Sequence, residues 1–130
     1  MVYIDWNKFK VNHPDSQEAF EELCYYLFCR EFKLYQGIAT YHNQPGIESE
    51  PIRIKHNGAI KLAGFQSKFF DNRIDSKQIE DSIQKALDGR YPDLKLIYIY
   101  LNLPTRRTQN SFHNKIEQLA SSKQCEIKWI

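Results

Sequence analysis

Leu94-Lys95-Leu96-Ile97-Tyr98-Ile99-Tyr100-Leu101 is the stretch that decides the fold. A strand with one face in water alternates apolar and polar residues, whereas this run is apolar in nearly every position. It therefore reads as a central strand covered on both faces, which places the chain in the α/β class. Just upstream, Asp75 or Ser76 opens a helix that carries Ile79, Ile83, Ala86 and Leu87 on one side, and Asp88-Gly89 closes it before Pro92. Downstream, a helix with Phe112, Ile116 and Leu119 leads to a final short strand, Cys125 to Ile130, rich in β-formers. Strand, helix, strand, helix, strand implies right-handed parallel crossovers.

Farther upstream, Phe20, Leu23, Cys24, Leu27 and Phe28 recur at three and four positions between Asp15 and Glu31, describing the buried stripe of an amphipathic helix. Asp15 or Ser16 can cap it, and Pro14 marks the end of the preceding coil. Three segments of strand character follow, around Gly37 to His42, Ile47 to Lys55 and Ala59 to Phe70. Asn43-Gln44-Pro45-Gly46 and His56-Asn57-Gly58 are the turns between them, with Asn57-Gly58 the clearest hairpin signal. The sum is a helix, a three-strand meander and then β-α-β-α-β units. Tyr25, Tyr26, Tyr98 and Tyr100 occupy core-compatible positions, and packing rather than base stacking is their default role.

A chain of 130 residues with 42% hydrophobic and 14% aromatic content suits one domain, spanning residues 1–130, with one core. Cys24, Cys29 and Cys125 are odd in number and form no C-x-x-C pair, so neither a disulfide framework nor a thiolate zinc site is indicated, and a reducing cytoplasm is expected. No apolar run approaches the roughly 20 residues that span a bilayer, and the N-terminus lacks a signal-peptide layout, so no membrane is expected. The four histidines, His13, His42, His56 and His113, have no metal-ligand spacing and read as loop or surface residues. A Walker-type glycine loop and a G-x-S-x-G elbow are both absent from the sequence. The strand-like ending Trp129-Ile130 suggests the N-terminal domain of a longer protein. A net charge of +2 and a pI near 8.4 are too mild to diagnose a nucleic-acid binder. Locally, however, Arg53, Lys55, Lys61, Lys68 and Arg73 gather mid-chain, and Arg106 and Arg107 follow the apolar strand.

Chemistry concentrates in Pro45-Gly46-Ile47-Glu48 and, eighteen positions after the glutamate, Gln66-Ser67-Lys68. Residues two apart in a strand share a face, so Gln66 and Lys68 point one way and Phe65, Ser67 and Phe69 the other, giving a polar face and a packed one. If the Asn57-Gly58 turn folds the two strands together, Glu48 approaches the same edge. A carboxylate, an amide oxygen and an ammonium then surround one point. Magnesium prefers hard oxygen ligands, so Glu48, Gln66 and a backbone carbonyl after it make a sparse site, with Lys68 placed to orient water or neutralise developing charge. The plainer reading of Glu48 and Lys68 is a cross-strand ion pair on an exposed sheet face.

This order of elements, with Gly-Ile-Glu, a hairpin and Gly-Phe-Gln-Ser-Lys, resembles the PD-(D/E)xK restriction-endonuclease-like superfamily over roughly Ser16 to Pro104. It is most similar to the Mrr-like branch, in which glutamine replaces the second acid as Q-x-K. The resemblance implies an αβββαβ core with a mixed central sheet flanked by helices, and a magnesium-dependent DNA endonuclease in which manganese substitutes. It places the first metal-binding acid on Glu48, the second-motif position on Gln66 and the catalytic lysine on Lys68. An accessory helix glutamate in a Phe-Glu context falls on Glu21, which lies at the border of the buried stripe whereas Glu22 faces away from it. Glu50 shares a face with Glu48 and is the alternative to it. Arg53, Lys55, Arg73, Arg106 and Arg107 would contact the phosphates of double-stranded DNA. Such domains stand at the N-termini of bacterial anti-phage proteins that carry C-terminal sensor or ATPase domains, and they act as dimers or higher homo-oligomers. The alternative is a catalytically silent module of the same fold that binds nucleic acid or a partner protein.

Overall fold

The computed structural model describes residues 5–34, 51–70, 73–103 and 110–130. Four helices and a four-stranded mixed open sheet are found among them. In chain order they are α1 (Trp6–Asn12), α2 (Ser16–Glu31), β1 (Ile52–His56), β2 (Ala59–Lys68), α3 (Ser76–Lys85), β3 (Leu96–Leu101), α4 (Asn110–Ser121) and β4 (Glu126–Trp129). The sheet runs β1-β2-β3-β4, with β1 antiparallel to β2 and the other two pairs parallel.

Local chemistry accounts for the boundaries. The Asp15 carboxylate caps α2 by accepting from the Glu18 N–H, and Asp75 caps α3 by accepting from the Gln78 N–H. Asn57 and Gly58 both take positive φ, 51° and 80°, as a two-residue hairpin turn matched to strand twist requires. The β3 side chains alternate. Leu96, Tyr98 and Tyr100 pack toward α2 with Phe20, Cys24, Phe28, Ala63 and Phe65, whereas Ile97 and Ile99 pack toward α3 and α4 with Ile79, Ile83, Ile116 and Ala120. The run is therefore apolar throughout because each face has its own helical layer. Both crossover helices lie on one face, as two connections of one hand stepping in one direction demand.

Several expectations need correction. The segment before Pro14 is not coil: Trp6 to Asn12 form α1, capped by Asp5, whose Oδ1 accepts from the N–H groups of Asn7 and Lys8. On α2 the buried stripe is narrower than predicted, and Leu27 is 40% exposed. Tyr26 is 60% exposed and belongs to no core. Asp88-Gly89 does close this helical segment, through a π-type turn, Ala86–Arg90, in which Gly89 leaves helical geometry (φ −110°, ψ −108°) and the Tyr91 N–H bonds the Ala86 carbonyl. β2 stops at Lys68, two residues short of Phe70, and the central strand begins at Leu96 rather than Leu94. The strand expected over 37–42 lies outside the described residues. No described helix is long and apolar enough to cross a membrane.

Candidate functional site

The site is built on the C-terminal half of β2. Gln66 and Lys68 point to the face covered by α3, and Lys68 Nζ donates to Ser82 Oγ of that helix at 2.8 Å. The face predicted as polar is not open to water there. Gln66 is fully buried, beside Ile99 on β3, and neither its Oε1 nor its Nε2 has a hydrogen-bond partner. On the opposite face, Ser67 is also buried with an unpartnered Oγ. Unpaired buried polar atoms are rare in native proteins, and each signals strain, a catalytic role or an absent ion or water.

Around this strand end, three side chains that sequence reasoning did not single out hold the site, two by its backbone and one by its lysine. From α2, Gln17 Oε1 accepts from the Phe69 N–H at 3.1 Å, and its Nε2 donates to the Ser67 carbonyl at 3.5 Å. From the end of β3, the buried Asn102 amide exchanges two bonds of 2.8 Å with Phe70, accepting from its N–H and donating to its carbonyl. From α3, Ser82 holds the lysine amine. Phe69 is further gripped by Trp6, Phe9 and Phe20, with ring centroids 5.6 to 5.8 Å away. The signal for Asn102 was a polar residue directly after an apolar strand. Gln17 and Ser82 carry no such mark, since exposed-looking polar residues on helices are ordinary.

Glu21 lies where helix geometry placed it, half-buried at the border of the α2 stripe while Glu22 is exposed. Its Oε1 accepts from Gln17 Nε2 at 3.2 Å. The glutamate therefore reaches β2 through Gln17, on the sheet face opposite Gln66 and Lys68. Arg53 and Lys55 are exposed on β1 and share the Gln66 face, because Arg53 pairs with Leu62 and Lys55 with Ile60. At about 3.3 Å per strand residue they stand roughly 20 Å or more from Lys68. Arg73 is exposed just before α3. Glu48, Glu50, Arg106 and Arg107 lie outside the described residues, as does His42.

Among the described residues no cluster of three His, Cys, Asp or Glu is arranged to hold a metal. What the described site offers a cation is one hard oxygen, Gln66 Oε1, sealed from water and unpaired. The other histidines have local partners: His56 Nε2 lies 3.2 Å from Glu126 Oε2, and the His113 ring stacks on Trp129 at 4.3 Å. Cys24, Cys29 and Cys125 are buried free thiols, and burial pushes the Cys125 thiol up to about 12. A scan against protein-family models and a search of curated proteins each returned no match.

Proposed function

We propose that the chain is a magnesium-dependent DNA endonuclease, the effector nuclease domain of a bacterial anti-phage defence protein. The observation that carries the nuclease reading is the buried, unpartnered Gln66 amide two residues from a lysine held by Ser82. The defence context rests on the motif resemblance alone. Gln66 Oε1 and the carboxylate of Glu48, with Glu50 as its alternative, would hold the cation, which prefers hard oxygen ligands and supplies Lewis-acid polarisation of the phosphate when bound. Lys68 orients the attacking water or neutralises charge that develops on the phosphate, and the Ser82 bond restricts where its amine can go. Gln17, Phe69 and Asn102 hold the strand end so that these groups keep their spacing. Glu21 buttresses Gln17 in this account instead of touching substrate.

Plasmid incubation with the purified protein and magnesium tests this. Lys68→Ala and Glu48→Ala should each reduce nicking by about 100-fold or more, the scale seen when one electrostatic stabiliser is removed, and a chelator should abolish it. Equal traces of nicking in wild type and both variants would overturn the reading and leave the silent, binding-only module.

A further inference from the structure

β4 forms one side of the sheet: it pairs with β3, and no strand among the described residues pairs with its other edge. The Glu126 N–H donates to the Lys95 carbonyl and the Ile130 N–H to the Ile99 carbonyl. In a parallel ladder this parity turns the backbone groups of residues 126, 128 and 130 toward β3 and those of Ile127 and Trp129 outward. Outward N–H and C=O groups are a template for another strand. Side chains divide the other way. Glu126 and Lys128 stand on the α2 face, with Glu126 Oε2 against His56 and Lys61 and Lys128 Nζ over the Tyr98 ring at 5.5 Å, while Ile127 and Trp129 pack into the α3–α4 core.

We propose that this edge pairs antiparallel with the same edge of a second copy, about a twofold axis at Ile127, joining two sheets into one. Outward groups must meet outward groups, which leaves registers centred on Glu126, Ile127 or Lys128. Centring on Glu126 sets that carboxylate against its own copy, and centring on Lys128 opposes two ammonium groups. Only the Ile127 register places Glu126 opposite Lys128, twice, and at the non-hydrogen-bonded positions where cross-strand side chains lie closest. The ion pairs of Glu126 with His56 and Lys61 are both made through Oε2. Beside this edge on the α2 face lies an open cleft of about 400 Å³, lined by the apolar Leu27 and Ile130, the two tyrosines of β3 and the charged Arg30, Glu31 and Lys128. Ile130 is 56% exposed. Joining the edges brings two such clefts together over one continuous sheet and covers their apolar rim.

The test is sedimentation of the full chain from micromolar to submillimolar concentration. Wild type should pass from monomer to dimer. Glu126→Lys and Lys128→Glu should each weaken self-association by at least about tenfold, because like charges then face each other across the join. An equimolar mixture of the two variants should recover the dimer, since lysines on one strand meet glutamates on the other; that recovery also shows both variants are folded. A wild type that stays monomeric, single variants that dimerise like wild type, or a mixture that stays monomeric would each overturn the proposal. None of these readouts measures phosphodiester cleavage, so the interface stands or falls apart from the nuclease reading.

Discussion

Gln66 sets the terms at the residue scale. A buried polar group without a partner costs about 1–3 kcal/mol, and this amide has two such atoms in the middle of an otherwise well-packed strand. Replacing it with an unbranched apolar side chain of similar length removes that penalty while filling the same space. Gln66→Met is therefore expected to raise the free energy of unfolding in urea by about 1–3 kcal/mol and, on the nuclease reading, to abolish nicking. A variant less stable than wild type would mean the amide is paired in solution, and the main support for the site would go. The identity of Gln66 and its face were legible in the sequence from strand parity. Its burial was not, because nothing in Gln66-Ser67-Lys68 announces that α3 closes over that face.

At the scale of elements, legibility followed burial. α3 was read from Ile79, Ile83, Ala86 and Leu87, all of which are buried, and the hairpin from Asn57-Gly58. α1 escaped because its seven residues include none that is fully buried, so no periodic stripe exists to read; only the Asp5 cap marks its start. Leu27 was misread because α2 buries mainly the line Phe20, Cys24, Phe28, leaving the next position over the cleft. The α4–β4 contact makes a pH prediction. Burial of the His113 ring holds its pKa below the ordinary 6.5, with Glu117 opposing more weakly. The unfolded chain thus takes up a proton more readily than the folded one, so this contribution is whole above pH 6.5 and is lost as pH falls from there through the folded-state value. Urea titrations at stepped pH should show stability declining over that window, and His113→Phe should flatten the decline. An unchanged slope would assign the decline to other groups.

For the whole molecule, charge is the relevant quantity. A net charge of +2 gives little long-range attraction, so DNA binding must rest on local cations. If Arg53, Lys55, Arg73, Arg106 and Arg107 each neutralise one phosphate, affinity should fall on the order of a hundredfold or more between about 50 and about 200 mM salt. Fluorescence anisotropy with two duplexes of unrelated sequence checks this, and both should lose affinity in parallel. A flat salt response would remove these residues from the interface. Arg53 and Lys55 stand together on β1 whereas Arg73 lies just before α3, a distinction that charge read from sequence does not make, because it lists cations without saying which share a surface.

The bonds between Asn102 and Phe70 have a consequence for how the molecule breathes. They tie residues 32 apart in sequence just past the C-terminal ends of β2 and β3, so the excursion through α3 and back along β3 is a lariat drawn shut at its neck. Unwinding α3 at the tip leaves the knot in place, whereas cutting the knot frees the root of the connection from β2 to α3 while β3 keeps its ladders with β2 and β4. Native-state hydrogen exchange should accordingly show α3 amides opening in a graded series in wild type and in a single cooperative step, at lower free energy, in Asn102→Ala.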